Sequence, residues 1–222
     1  MSELAEITVT ANGSASAMPD GIRIDMSVLA ERADYAQTLD NLNQAVSAIN
    51  SALRDAGIED QATTQSYAIE EVWSNRHDED KRKFKGYRGK QKMAVTIGVD
   101  KELLGRAILG LAGCSGNPSV NITFVVQNTD PMERAARMAA VRRARDSAND
   151  LAEAACLKLV SVKSINFTSN QNSLGSGLHV SELAQYSVPA MPEVMPDAIC
   201  HDESVKMIWL ALPCVALGIR GT

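Results

Sequence analysis

In Ile22-Arg23-Ile24-Asp25-Met26-Ser27-Val28 apolar and polar side chains alternate without a break. A period of two places Ile22, Ile24, Met26 and Val28 on one face of a strand and the polar residues on the other. One buried and one wet face is the signature of an antiparallel sheet covered on one side. Upstream, Met18-Pro19-Asp20-Gly21 reads as a turn, and Ile7 and Val9 alternate with Thr8 and Thr10 before it. Two such strands joined by a short turn predict a hairpin. Downstream, Asp34 caps a helix in which Leu39, Leu42, Val46, Ile49 and Leu53 recur at steps of three and four. That spacing gathers them on one stripe, which packs on the sheet, and Gly57 closes the helix in the left-handed conformation.

Farther out, 63–75 and 84–99 are strand-like around Tyr67, Ile69, Val72, Trp73, Tyr87, Val95, Ile97 and Val99. The charged run 76–83 between them predicts a long hairpin with a solvated tip. Asp100 caps a second helix with Leu103, Leu104, Ile108 and Leu111, closed by Gly113. A strand follows at 119–127. Thr129-Asp130-Pro131 then opens the longest helix, with threonine as the cap and proline where its missing N–H costs nothing. Residues 157–168 return to strand, 169–202 form a long loop with three prolines, and 203–217 make a final apolar strand in which Pro213 marks an edge or bulge. The order ββαββαβαβ-loop-β is an α+β fold: mainly antiparallel sheets with three helices packed on them. Residues 1–222 form one domain, or two intertwined α/β subdomains within it.

Composition narrows the function classes. Of 222 residues, 45% are hydrophobic and 22% charged, which fits a folded globular protein. The net charge of −5 supplies no global field for nucleic acid, and aromatics at 4% leave few stacking platforms for bases. The longest apolar run, Met207–Ile219, is too short to span a bilayer as a helix and contains Pro213. Cys114, Cys156, Cys200 and Cys214 are widely spaced with no CxxC pair, so reduced thiols are expected. A cytoplasmic location suits them, and a periplasmic one applies if a leader has been removed.

Chemistry-bearing motifs are few. His77, His179 and His201 fall in predicted loops or hairpin tips, where no base is held rigidly against a nucleophile, and neither G-x-S-x-G nor a phosphate-cradling glycine loop occurs. Cys200-His201-Asp202-Glu203 is metal-like in composition, but neighbours in an extended segment point to opposite sides, so one ion does not easily collect all four and a site would need a further partner such as His179 or another protomer. Lys83, Lys85, Arg88, Lys90 and Lys92 form a basic patch on the second strand of the hairpin, with Phe84 and Tyr87 interleaved. Arg88, Lys90 and Lys92 share a face that could track phosphates, although Asp78, Glu79 and Asp80 offset the charge. Gly86-Tyr87-Arg88-Gly89 spells a GXXG sequence but opens a strand instead of joining two helices. The arginines of the long helix, Arg134, Arg137 and Arg145, read with Glu133, Asp146 and Asp150 as its solvated face. Catalytic residues, cofactor and metal are accordingly expected to be none.

Several local sequences recur together: Ile7-Thr8-Val9, Pro19-Asp20 before an alternating strand, Ala56-Gly57-Ile58, Thr64-Gln65-Ser66-Tyr67, Gly86-Tyr87-Arg88, Asn121-Ile122-Thr123-Phe124 and the helix 144–152. In this order the chain resembles the SIMPL-domain family, which includes bacterial periplasmic immunogenic and oxidative-stress-defence proteins and a kinase-associated eukaryotic signalling protein. The resemblance implies an α+β fold, oligomeric and sometimes ring-like assembly, and an envelope or stress-related role; it carries no defined catalytic residues. Cys156 stands where the family usually has glycine after the long helix, and Gly89 where alanine is common.

The expected function is therefore non-enzymatic: a homo-oligomer that binds a protein partner. Within 169–202, Leu178, Val180, Leu183, Tyr186, Val188 and Met191 set large apolar groups among prolines and form a candidate assembly arm. The alternative is a nucleic-acid or phosphate ligand on the basic hairpin 81–92, which the net charge disfavours.

Overall fold

The computed structural model describes residues 4–74, 83–170, 177–179 and 197–214. The elements run β1 (Ala5–Ala17), β2 (Gly21–Arg32), α1 (Tyr35–Asp55), β3 (Thr63–Trp73), β4 (Phe84–Gly98), α2 (Lys101–Gly113), β5 (Ser119–Val125), α3 (Asp130–Ala154), β6 (Leu157–Asn170), β7 (Gly177–His179) and β8 (Ile199–Pro213). Among the described residues they make an antiparallel sheet ordered β1-β8-β6 and another ordered β3-β4-β2-β5-β7. The fold is α+β, as the alternation of 22–28 and the helical stripes require. The chain divides into two compact units. One comprises Met1–Met18, Asn128–Leu174 and Ala198–Thr222, the other Pro19–Gln127 and Gly175–Asp197.

In the second unit, the β2 positions Ile22, Ile24, Met26 and Val28 are buried together with Met93, Val95 and Ile97 of β4 and Ile122 and Phe124 of β5. Leu42, Ile49 and Leu53 of α1 and Leu104, Ala107 and Leu111 of α2 close this core. The caps act as their residue types dictate. Asp34 Oδ1 accepts from the Gln37 N–H at 3.1 Å, and Asp100 Oδ1 accepts from Glu102 and Leu103 at 2.9 and 3.0 Å. Gly57 takes φ +98° after α1. β3 and β4 pair as the expected hairpin, while its tip at 75–82 lies outside the described residues.

Four expectations need correction. β1 and β2 do not pair: β1 runs antiparallel to β8, whereas β2 lies between β4 and β5. Alternation assigns a face to a strand but not a partner. The turn serves β5 instead, for Asp20 donates its N–H to the Val125 carbonyl and its Oδ1 accepts from Gln127 at 2.7 Å. Second, the segment 169–202 is not one loop: β6 continues to Asn170, β7 pairs with β5, and β8 begins at Ile199. His201 and His179 are consequently strand residues. Third, Pro213 ends β8, opposite Leu157, at the last rung of the ladder. Fourth, Thr129 makes no side-chain cap; Asn128 Oδ1 accepts the Asp130 N–H at 3.2 Å.

The first unit is built on alanine. Ala136, Ala140, Ala144, Ala148 and Ala152, four residues apart on α3, are all buried. With Ile7, Val9 and Ala11 of β1 and Val205, Met207, Trp209 and Ala211 of β8, the last four of them form one apolar core. Small side chains let the helix axis approach the sheet closely. Closest is Gly13, where a Cβ would overlap the Ala136 carbonyl and the Ala140 backbone. At its other end α3 closes on Cys156 at φ +52°, a left-handed conformation in which a side chain is strained.

Three substitutions test this packing and backbone geometry. Gly13→Ala forces backbone apart and is expected to cost about 3 kcal/mol. Gly105→Ala, in open space within α2, is expected to stabilise by up to about 1 kcal/mol. Chemical denaturation of both variants checks the contrast. Relief of the left-handed strain by Cys156→Gly is expected to stabilise by about 1 kcal/mol, read the same way.

Candidate functional site: an uncovered strand flank

The three-stranded sheet is covered unevenly. Cross-strand rows facing α3 run Ile7–Trp209–Val162, Val9–Met207–Ile165 and Ala11–Val205–Phe167. Along β1 and β8 these side chains are 1–9% exposed, but on β6 Val162, Ile165 and Phe167 are 45%, 55% and 43% exposed. Two irregularities keep them in line. The β6 register slips one residue between Leu159 and Ser161 and again between Val162 and Ser164. The first slip swings Val162 to the helix side in place of Ser161; the second returns the original parity for Ile165 and Phe167 and leaves Lys163 out of the apolar row. Val160, in the first slip, is a further exposed apolar residue. Because β6 is an edge strand, the groups on its outer side have no strand partner among the described residues.

One rung beyond Phe167 the row changes character: Gly13, Glu203 and Ser169 are opposite one another. Glu203 is 1% exposed. Its Oε1 lies 3.3 Å from both Arg137 Nη2 and His201 Nε2, while its buried Oε2 has no hydrogen-bond partner among the described residues. The Arg137 guanidinium also sits 4.8 Å over the Phe167 ring. Arg137 is therefore more than a solvated helix residue: it ties α3 to β8 and to the exposed flank. Arg143 likewise reaches the sheet, donating to the Asn12 carbonyl at 2.9 Å. Of the metal-like cluster, His201 and Glu203 point to the helix side, while Cys200 and Asp202 occupy the alternate, exposed positions. Among the described residues no three metal-ligating groups converge.

The second unit presents the basic patch. Lys83, Lys85, Arg88, Lys90 and Lys92 are all exposed, and Arg88, Lys90 and Lys92 share one face of β4. Arg88 pairs with Glu31 of β2 and lies opposite Glu70 of β3, so carboxylates offset the stripe at its centre. Beside it runs a chain of edge-on aromatic contacts, Tyr35–Tyr87, Tyr87–Phe84 and Phe84–Trp73, with centroids 5.2–5.4 Å apart. Trp73 donates its indole N–H to Glu71 at 3.1 Å. The GXXG glycines lie within β4, where Gly86 lets the strand approach the Arg32 carbonyl. Leu178 falls in β7; Val180, Leu183, Tyr186, Val188 and Met191 lie outside the described residues.

The flank on β6 is absent from the sequence-based candidates. Its signal was present in Val160, Val162, Ile165 and Phe167, but a broken period conceals the common face. Glu203 was visible as the inward position of the run Glu203, Val205, Met207, Trp209, Ala211.

No helix among the described residues is long and apolar enough to cross a membrane. No curated protein matches the chain. A family model described as SIMPL, protein of unknown function (DUF541), matches residues 7–206, from β1 into β8. That match spans most of the chain, whose described residues form two antiparallel sheets and three helices, and the chain belongs to the SIMPL family.

Proposed function

We propose that this SIMPL protein works by binding, without catalysis of its own, and that two copies meet along β6. The carrying observation is the row Val162, Ile165 and Phe167, half-exposed on an edge strand whose neighbours in the same rows are buried. The occupant is a second copy because an antiparallel strand edge is self-complementary about a two-fold axis. Charge supports this choice. Lys163 is held by Glu6, and Lys158 lies at one end of β6, so a two-fold near Ser164 sets it against the opposite end of the partner strand. Size supports it as well. Fourteen residues of strand extend roughly 45 Å. A contact 15–20 Å wide along that length reaches the roughly 800 Å² per partner typical of stable interfaces.

The combined substitution Val162→Lys and Ile165→Lys tests this, with native mass followed by light scattering over a dilution series. Each aliphatic side chain contributes roughly 1.5–3 kcal/mol on burial. Dissociation is thus expected to become at least about 100-fold easier, with unchanged circular dichroism. A parent that stays monomeric throughout, or a folded variant with the parent's mass, overturns the reading.

A further inference from the structure

All four cysteines are free thiols, and two of them meet at the end of the first unit's sheet. The β6–β8 ladder has Leu157 opposite Pro213, so its next rung brings Cys156 opposite Cys214. The backbone makes that rung: the Cys214 N–H donates to the Cys156 carbonyl at 2.8 Å. With standard bond lengths and the trigonal angle of about 120° at the Cys156 carbonyl carbon, the two Cα atoms are no more than about 6.7 Å apart. Disulfides span Cα separations of about 4.4–6.8 Å. Both residues are solvent-exposed, so an oxidant can reach them.

Among the described residues, neither of the other two thiols has such a partner across a strand ladder. Cys200 is at the opposite end of β8, and 14 residues of extended strand put it roughly 45 Å from Cys214. Cys114 belongs to the other unit, at the C-terminus of α2, and is only partly exposed.

We propose that Cys156 and Cys214 are a reversible redox pair, closed by exchange with a small external disulfide such as oxidised glutathione. The thiolate of one cysteine attacks the glutathione disulfide, forming a mixed disulfide and releasing one glutathione thiol. The second thiolate attacks the protein sulfur of that mixed disulfide and releases the other. The protein loses two protons and two electrons, and one glutathione disulfide becomes two thiols. The bond would join the end of α3 and the start of β6 to the end of β8, enclosing the whole arm between them in a covalent loop.

Exposure of the full chain to oxidised glutathione, followed by acid quench and intact-mass measurement, tests the pair. The expected product is a monomer on a non-reducing gel, lighter by two hydrogens. Trypsin should yield peptides 146–158 and 207–220 as one linked species that separates on reduction. Cys114→Ser and Cys200→Ser should leave this product unchanged, whereas Cys156→Ser or Cys214→Ser should stop at a glutathione adduct on the remaining cysteine. Stable separate adducts on both residues of the parent, a linkage to Cys114 or Cys200, or cross-linking only between chains would overturn the proposal. Because linked peptides are sought in the parent, the outcome does not depend on a variant's folding.

Discussion

The first unit is governed by how much sheet one narrow helix can cover. An α-helix is about 10 Å across and neighbouring strands are about 4.8 Å apart, so one helix shields roughly two strands. Here the helix is thinned further, because its inward face is alanine at every fourth position. Gly13 draws it onto β1, where any Cβ would meet helix backbone. Held there, α3 covers β1, the central strand β8 and the start of β6 at Leu157 and Leu159, and leaves Val162, Ile165 and Phe167 of β6 half-exposed.

That placement accounts for the gradient along each row, from buried isoleucine and valine on β1 to half-exposed valine, isoleucine and phenylalanine on β6. It also accounts for Arg137. At the side of α3 toward the flank, its guanidinium can neutralise the buried Glu203 carboxylate and lie over Phe167 together. A charge buried without such a partner would be costly, and a surface ion pair alone would contribute little. The second unit meets the same problem differently, with α1 and α2 both contributing to the core over β2, β4 and β5. Its exposed apolar groups include the aromatic residues Tyr35, Trp73 and Phe84 beside the basic stripe, together with the separate aliphatic residues Leu29, Val99 and Leu109.

The fold class was legible because the strand 22–28 and the α1 stripe each express one uninterrupted period. Pairing was less so. β1 joins β8 across most of the chain, and no local pattern distinguishes that partner from a hairpin neighbour. The turn at 18–21 has suitable residues for a hairpin, but its Asp20 hydrogen bonds commit it to β5. The alanine stripe was in plain view at positions 136, 140, 144, 148 and 152, yet alanine signals helix propensity as readily as a packed face. On β6 the two register slips break the alternation that would have assigned Val162, Ile165 and Phe167 to one side. In the sequence Cys156 stands out only as a departure from glycine; its left-handed backbone and its position against Cys214 depend on how α3 ends and β6 pairs with β8.

Amide hydrogen exchange along β6, measured at low and high protein concentration, tests assembly on this strand most directly. Meeting of two copies there predicts that amides of residues 160–168 are protected at high concentration and exchange markedly faster on dilution, while the β1 amides that bond to β8 do not change. Exchange of β6 that is independent of concentration, or concentration-dependent protection confined to the β3 edge, contradicts it.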